Sequence, residues 1–506
     1  MKITSAKIIL AVLISAYAAV TGACAATPKF EHPLAGEAFA YFLEALKIPR
    51  GSGNERAISD YLAAFAKERQ LDVVQDEALN VLIRKPGSSG RENEPPLILQ
   101  AHMDIVCESN EGTEHDFLKD PIIPVIEGDW IRAEGTTLGA DDASGLSIIM
   151  AVLASNKLSH PPIEAVITTE EETTMGGAVA FDVSLLEGKR FINLDYEDEG
   201  IFCVSCASTT AVVMSIPIVY EPAPKGYVTY ALMVKGLEGG HSGVDIDKGR
   251  ANANILMARI LNELKGKIRL TSIDGGAQNN SITRENKAVI SFAGDSLAEI
   301  ESFVAQTEKN LKAEYPFDED LTITLSKTEA KDVMTVDSAQ KVIAGILFTP
   351  FGVLSMSPHI EGLVQTSNNL GIIETEGDMV KLSSLLRSSS ITEQDFVIEK
   401  FELLTSVLDV KVKIDKESPP WAFKENSPLR DKMLEVFKEF YGREPQVAAV
   451  HAGLECAIFA QKIPDGEFVA YGPDIRYAHS PDEKMSLSSF DRTCGYIARL
   501  LEGLKN

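Results

Sequence analysis

Residues 97–104 read Leu-Ile-Leu-Gln-Ala-His-Met-Asp, and this stretch indicates the fold class. The apolar run from Leu97 to Gln100 predicts a buried strand. Two residues able to serve a metal site, His102 and Asp104, follow it directly. In open α/β sheets, ligands bind beyond the carboxyl ends of the strands. The stretch therefore predicts a strand that ends at a functional site.

The same alternation of apolar strands and helices recurs on both sides of this stretch. Apolar periodicity predicts strands at 162–168, 190–194, 446–450 and 468–471, and helices at 143–155, 429–441 and 487–504. Alternation of this kind is typical of a mostly parallel sheet flanked by helices. We therefore expect an α/β catalytic domain with a mixed, mostly parallel sheet.

A change of pattern in the middle of the chain predicts a second domain. A chain of 506 residues is too long for one ordinary core. After residue 213 the pattern changes, and Ser418-Pro419-Pro420 is typical of a linker. We expect a catalytic domain built from residues 26–213 and 415–506, interrupted by an inserted α+β lid domain at 214–414.

Composition excludes some classes of function. The formal net charge is -26, whereas nucleic-acid binding needs clustered Lys and Arg. After the amino terminus, no stretch approaches the roughly 20 apolar residues of a membrane-spanning helix. We therefore expect neither a nucleic-acid partner nor an integral membrane span.

The amino terminus has the pattern of a secretory signal. Lys2 and Lys7 give a positively charged start before the apolar run 8–20, and Ala23-Cys24-Ala25 supplies small residues for cleavage. This pattern predicts a signal peptide over residues 1–25 and an exported protein, periplasmic or secreted. A lipoprotein attached through Cys24 is the alternative.

Residues able to bind metal recur at predicted strand ends and loops. Besides His102, the positions are Asp141 ahead of a helix, Glu171 and Glu172 after the strand ending at Thr168, Asp195, and His479. A single acidic residue at such a position is usually a helix cap or a solvated loop residue. Their joint placement at one end of one sheet favours a metal site instead.

The residue types at these positions suit hydrolytic chemistry. Two histidines and several carboxylates match the ligands of zinc, and a shared aspartate can bridge two ions roughly 3.5 Å apart. A neighbouring Glu can act as general base. In the His-x-Asp pattern, Asp104 can fix the ring of His102.

Six motifs occur in an order that resembles a known family. They are 101–104 (AHMD), 139–142 (GADD), 169–172 (TEEE), 193–195 (NLD), 451–456 (HAGLEC) and 479–483 (HSPDE). Together they resemble the bacterial aminoacyl-histidine dipeptidases, a carnosinase-like branch of the di-zinc aminoacylase and carboxypeptidase superfamily. The resemblance covers nearly the whole chain.

The resemblance implies a role for each metal-site residue. Asp141 would bridge two zinc ions, for which cobalt or manganese could substitute. His102 and Asp195 would complete one site, and Glu172 and His479 the other. Glu171 would be the general base and Asp104 would orient His102, while the bond between Asp141 and Asp142 would be cis.

The resemblance also implies roles in the lid. His241 would polarise the scissile carbonyl, and Asn280 and Arg387 would hold the substrate and its carboxylate. His451 is a rival to His479 as metal ligand and otherwise a substrate-binding residue. A homodimer is a further expectation, because relatives in the superfamily often dimerise through their lids.

The expected activity is zinc-dependent hydrolysis of dipeptides such as β-alanyl-histidine. A carboxypeptidase, tripeptidase or N-acyl-amino-acid deacylase of the same superfamily is the first alternative, because all of these use the same metal chemistry. The second alternative is an exported binding protein without catalysis, for which a positioned base such as Glu171 would be unnecessary.

Overall fold

The computed structural model describes residues 28–451 and 453–504. The predicted signal peptide, including Cys24, lies outside the described residues. The chain divides into two compact units. The first contains the described part up to Val204, Lys424–Ala448 and the part from Ile458 onward, and the second contains Ser205–Phe423 and Ala449–Ala457.

The described residues form strands and helices along the whole chain. The strands are β1 (Asp72–Gln75), β2 (Val81–Lys85), β3 (Leu97–His102), β4 (Pro124–Glu127), β5 (Trp130–Ala133), β6 (Ile163–Thr168), β7 (Arg190–Asn193), β8 (Ile201–Cys206), β9 (Ser208–Pro217), β10 (Tyr220–Pro222), β11 (Tyr227–Lys235), β12 (Gly240–His241), β13 (Arg269–Gly275), β14 (Ser281–Ile282), β15 (Asn286–Ala293), β16 (Thr322–Thr328), β17 (Asp332–Met334), β18 (Gly352–Met356), β19 (Val364–Glu376), β20 (Met379–Ser388), β21 (Lys411–Ser418), β22 (Gln446–Val450), β23 (Glu467–Ala470), β24 (Ile475–Arg476) and β25 (Lys484–Ser486). The α-helices are α1 (Pro33–Ala45), α2 (Arg56–Glu68), α3 (Ala140–Ala154), α4 (Glu171–Thr174), α5 (Gly176–Ala180), α6 (Ala253–Glu263), α7 (Leu297–Glu314), α8 (Val336–Phe348), α9 (Ile391–Leu408), α10 (Pro428–Tyr441), α11 (Glu455–Lys462) and α12 (Leu487–Gly503).

A mixed sheet organises the first unit. Its strand order is β1-β2-β6-β3-β7-β23-β8-β22. The central strands β6, β3, β7 and β23 are parallel, and β2 joins β6 antiparallel. Strands β3 and β6 are buried along their whole length, as expected for the centre of a sheet with helices on both faces. The carboxyl ends of the parallel strands therefore meet at one edge.

Helix α10 of the first unit begins and ends where local signals predict. Helix α10 begins after Ser427, whose hydroxyl accepts the N–H of Arg430, and it has Pro428 at its first position. It ends at Tyr441, and Gly442 directly after it has the left-handed conformation that favours glycine. Helix α3 is buried along almost its whole length and belongs to the core of this unit.

An antiparallel sheet organises the second unit. Its order is β16-β11-β15-β13-β19-β20-β9-β21, and β18 pairs with β19. Apolar side chains of its helices α6 to α9 form a core of their own with this sheet. The fold class is thus confirmed as α/β with a second unit of α+β type.

The second unit is wider than the lid segment marked by sequence. It begins at Ser205 and ends at Phe423, and it also includes residues 449–457, which the sequence had placed in the catalytic domain. The boundary between Val204 and Ser205 lies within strand β8. No loop therefore marks this boundary in the sequence. Among the described helices, none combines the length and the apolar character needed to cross a membrane.

Candidate metal centre

The parallel strands of the first unit deliver the predicted metal-binding residues to one edge. His102 is the last residue of β3, and it lies opposite Thr168, the last residue of β6. Glu171 and Glu172 form the first turn of α4 just beyond β6, and Asp195 follows β7. The remaining donors come from other segments: Asp141 lies at the start of α3, and His479 lies in the loop between β24 and β25.

Asp141 lies between the two imidazoles. Its Oδ1 is 2.8 Å from Nε2 of His102, and its Oδ2 is 3.2 Å from Nε2 of His479. On one side, Oδ1 of Asp195 lies 3.7 Å from Nε2 of His102. On the other side, Oε2 of Glu172 lies 2.9 Å from Nε2 of His479. Each oxygen of Asp141 therefore belongs to a different group of potential ligands.

The groups close enough to hold a cation contain the predicted residues. Among the described residues they are His102 with Asp141 and Asp195, Asp141 with Glu172 and His479, and His102 with Glu171 and Glu172. Imidazole nitrogens and carboxylate oxygens are ligands that zinc takes, so this donor set fits a divalent metal ion. The peptide bond between Asp141 and Asp142 is cis.

Asp104 lies beside His102, on the side of the ring that faces away from Asp141. Its carboxylate lies 3.4 Å from Nδ1 of His102, and both side chains are fully buried. The same carboxylate accepts the hydroxyl of Ser52 at 2.8 Å and the backbone N–H groups of Glu171 and Glu172 at 3.1 and 3.2 Å. Asp104 thus joins the end of β3 to the turn that carries both glutamates.

Burial, hydrogen bonds and neighbouring charges shift the pKa values of Asp141, Asp195 and His479 in different directions. Burial favours neutral Asp141, yet hydrogen bonds from His102 and His479 hold its pKa well below the ordinary value. Burial and the neighbouring charge of Asp141 raise the pKa of Asp195. Hydrogen bonds to Asp141 and Glu172 raise the pKa of His479 to about 11. The close packing of carboxylates thus contributes to the upward pKa shifts of both Asp195 and His479, and a bound cation would offset this carboxylate charge.

Two charged residues that the sequence did not assign to the site hold the turn before Asp141. Glu483 accepts the backbone N–H groups of residues 138–141. Arg50 donates to the carbonyl oxygens of Met103, Asp104 and Gly139. Glu483 is the last residue of the HSPDE motif, and this motif was the one feature of the sequence that could have indicated it. No motif or spacing in the sequence indicated Arg50.

The second unit holds the predicted lid residues. His241 is the second residue of β12, which pairs with β14. Its Nδ1 accepts the backbone N–H groups of Gly243 and Val244, both at 3.2 Å. Burial and the charge of Arg387 lower its pKa, so the ring is neutral near pH 7. Because Nδ1 is an acceptor, the proton of the neutral ring lies on Nε2.

A second buried cluster in the same unit contains Arg387 and His451. Ser367 pairs with Arg387 across β19 and β20, so their side chains share one face of the sheet. The hydroxyl of Ser367 lies 2.7 Å from Nε2 of His451. Nε of Arg387 and Nδ1 of His451 are buried without a hydrogen-bond partner among the described residues. The cluster therefore offers free polar atoms to a ligand, and sequence reasoning missed Ser367.

The remaining lid residue, Asn280, is exposed on the loop before β14, and its carbonyl accepts the N–H of Ser242 at 2.8 Å. His451 is absent from the potential metal groups among the described residues, whereas His479 is present in one of them. This geometry favours His479 over its rival as a ligand.

Carboxylates and imidazoles gathered at the ends of parallel strands are the arrangement of a metal-dependent hydrolase. The chain belongs to the peptidase family M20/M25/M40, whose sequence model matches residues 98–503. It is therefore a peptide hydrolase.

Two similar proteins narrow the comparison. The chain is 35% identical over 467 residues to the "Cytosol non-specific dipeptidase" of Escherichia coli (strain K12), covering 91% of this chain and 96% of the relative. The crystal structure of the aminoacylhistidine dipeptidase from Vibrio alginolyticus matches with a TM-score of 0.88 and 33% identity, covering 94% of this chain and 99% of that chain. These similarities confirm the predicted resemblance. Aminopeptidase PepT from Bacillus cereus, with 15% identity and a TM-score of 0.54, shares the fold.

The comparison overturns the prediction of export. The relative from Escherichia coli is named as a protein of the cytosol. Neither the signal peptide over 1–25 nor the lipoprotein alternative through Cys24 is supported. The prediction was wrong because two lysines followed by a short apolar run are a compositional pattern. Such a pattern occurs without an export machinery recognising it.

Proposed function

We propose that this protein is a zinc-dependent dipeptidase that holds two metal ions on either side of Asp141. The proposal rests on the position of the Asp141 carboxylate between two histidines. Its Oδ1 lies 2.8 Å from Nε2 of His102, and its Oδ2 lies 3.2 Å from Nε2 of His479. His102 and Asp195 would hold one ion, and Glu172 and His479 the other. Cobalt or manganese could occupy the same ligands.

The residues of the first unit would divide the work of hydrolysis. Bound zinc ions would polarise the substrate carbonyl and lower the pKa of water. Glu171, which lies in the first turn of α4, would take the proton from water and deliver it to the leaving amine. Asp104 would fix the ring of His102 through Nδ1, since second-shell carboxylates orient ligand imidazoles.

The residues of the second unit would recognise the substrate. Nε2–H of His241 would donate to a peptide carbonyl, a role supported by the two N–H groups that occupy Nδ1. Arg387 and His451 would bind the terminal carboxylate, because both present buried nitrogen atoms without a partner among the described residues. Asn280 would contact the substrate from its exposed loop. A dipeptide has its carboxylate one residue from the scissile bond, which suits recognition of both groups together.

We also propose a homodimer formed through the second unit. Three large apolar side chains of helix α9, those of Phe396, Leu403 and Val407, are 57, 64 and 72% exposed. The spacing of seven and then four residues places them on one face of the helix. A second copy could cover this face, and light scattering after size-exclusion chromatography tests the proposal.

A substrate panel tests the proposed activity. The metal-stripped protein is supplied with zinc, cobalt or manganese and offered β-alanyl-histidine, other dipeptides, tripeptides, and acyl-amino acids. The proposal expects dipeptide hydrolysis that disappears with a chelator and returns with metal. Faster cleavage of tripeptides or acyl-amino acids would favour the related peptidase or deacylase activities. Dipeptide binding without turnover would favour the binding-protein alternative.

A further inference from the structure

The turn that leads into Asp141 is held from two directions by buried charged side chains. Glu483 accepts the N–H groups of Leu138 and Gly139 at 2.8 Å each, of Ala140 at 2.7 Å and of Asp141 at 3.3 Å. Only 2% of Glu483 is exposed. A carboxylate removed from water is costly unless hydrogen bonds compensate it. Four convergent amides supply that compensation and in return hold the turn around the carboxylate.

Arg50 holds the same turn through its carbonyl side. Its Nη2 donates to the carbonyl of Gly139 at 2.6 Å, and its Nη1 donates to those of Met103 and Asp104 at 2.9 and 3.2 Å. Only 1% of Arg50 is exposed. The planar guanidinium suits this task because its donors point in fixed directions. Arg50 thereby links the turn to the segment that follows His102.

The packing leaves little freedom in the turn. Gly139 has a φ of +70°, which favours glycine. A Cβ at this position would lie 2.6 Å from Cγ2 of Ile105 and 2.9 Å from Nη2 of Arg50. The Arg50 contact therefore requires both the left-handed backbone and the missing side chain.

These contacts connect the segments that supply Asp141, His102 and His479. Glu483 lies four residues after His479 on the loop between β24 and β25, and Arg50 reaches the backbone of Asp104. We propose that Glu483 and Arg50 are positioning residues, which together place Asp141 between His102 and His479 for metal binding. This inference rests on the proposed metal function. It assigns Glu483 and Arg50 no contact with substrate or metal.

The physical reason is that metal sites need their ligands held within about 0.5 Å by supporting residues. Asp141 comes from the start of a helix, whereas its two imidazole partners come from a strand end and a distant loop. Glu483 and Arg50 together are called the clamp below. Without the clamp, each segment could shift independently. The clamp replaces this freedom with hydrogen bonds from one turn to both other segments.

Conservative variants of the clamp separate positioning from gross folding. Glu483→Gln keeps the shape of the side chain but replaces one acceptor oxygen with a donor that faces N–H groups. The matched control is Asp482→Asn, which removes a charge from the neighbouring exposed residue of the same loop. Arg50→Lys keeps the charge but loses the fork of donors, and its control is Arg56→Lys on the exposed face of α2.

The measurement is a zinc titration of the metal-stripped, full-length variants by calorimetry, with circular dichroism to record the folded fraction. Both clamp variants should bind at least one zinc ion ~10- to 100-fold more weakly, as outer-shell substitutions do. The controls should bind as the wild type does. The double variant should lose less affinity than the sum of the single losses, because both residues act on one turn.

Three results would contradict the clamp. Zinc affinity of Glu483→Gln equal to that of Asp482→Asn would overturn the role of Glu483. Equal affinity of Arg50→Lys and Arg56→Lys would overturn that of Arg50, and this arm stands even if Glu483→Gln fails to fold. A wild-type protein that takes up no zinc would overturn the metal function and the clamp with it. Failure of the clamp alone leaves wild-type zinc binding intact.

Discussion

Nε2 of His102 lies 2.8 Å from Oδ1 of Asp141, and the imidazole is fully buried. The second oxygen of this carboxylate faces His479, whose side chain is 56% exposed. One aspartate therefore joins a buried imidazole to one that reaches solvent. If two ions bind, the two sites share Asp141 but differ in their access to water.

Substitution of Asp141 should remove both sites together. Asp141→Ala removes the one carboxylate that both groups of potential ligands share, so we expect bound zinc to fall from about two ions per chain to less than one, with loss of activity. Elemental analysis of the dialysed protein measures this. Asp465→Ala is the control, since that carboxylate is 71% exposed on the same unit. Retention of two ions by Asp141→Ala would contradict the bridging role.

Substitution of Glu171 should separate metal binding from proton transfer. Glu171→Gln keeps the size of the side chain but cannot take a proton. We expect full zinc content and a loss of kcat of at least ~10²-fold. Glu170→Gln, one residue earlier, is the matched control and should retain turnover. If Glu171→Gln instead loses zinc, Glu171 is the metal ligand and Glu172 the general base.

Removal of the Arg387 side chain should slow the hydrolysis of dipeptides with a free carboxylate more than the hydrolysis of dipeptide amides. The buried guanidinium has a free Nε among the described residues, and a lost charge-assisted hydrogen bond costs about 1.5–3 kcal/mol. Arg387→Ala should therefore reduce kcat/KM for a dipeptide by ~10- to 150-fold, with a much smaller effect on the dipeptide amide. Arg259→Ala, at an exposed ion pair with Glu314, provides the control. An equal penalty on acid and amide would show that Arg387 does not bind the carboxylate.

Acid should destabilise the fold partly through His451. Burial and the charges of Arg387 and His241 lower its pKa from 6.5 to about 3. The unfolded chain therefore takes up this proton first as the pH falls. The stabilising contribution is complete above pH 6.5 and is lost as the pH falls toward 3, with a slope of up to about 1.4 kcal/mol per pH unit.

The variant His451→Gln removes this effect, because the side chain of Gln does not take up a proton as the pH falls. Urea unfolding at pH 7 and pH 5 should show a smaller loss of stability for this variant than for the wild type. His359→Gln, at a histidine of the same unit that is exposed, is the control and should follow the wild type. Identical pH dependence of the wild type and His451→Gln would contradict the shift.

The sequence by itself determined the fold class and the edge of the sheet that carries the site. Strand ends are local features, because apolar runs such as Leu97 to Gln100 mark them and parallel strands deliver the following residues to one edge. The predicted residues His102, Asp141 and His479 meet there. Order and residue type thus sufficed for the family and for the proposed ligands. The interpretation of the short apolar run at the amino terminus rested on composition alone, without strand ends or motifs to constrain it. The prediction of export that was based on it was wrong.

Only the tertiary structure decided which residues support the site. Glu483 bonds to a turn more than 340 residues away in sequence, and Arg50 reaches Gly139 across 89 residues. Such contacts leave no spacing in the sequence, since they depend on how distant segments fold together. The same reason explains His451, which follows a strand of the expected catalytic domain but packs beside Ser367 of β19 in the second unit. Local pattern selects the residues that can bind metal, whereas long-range packing selects those that hold them in place.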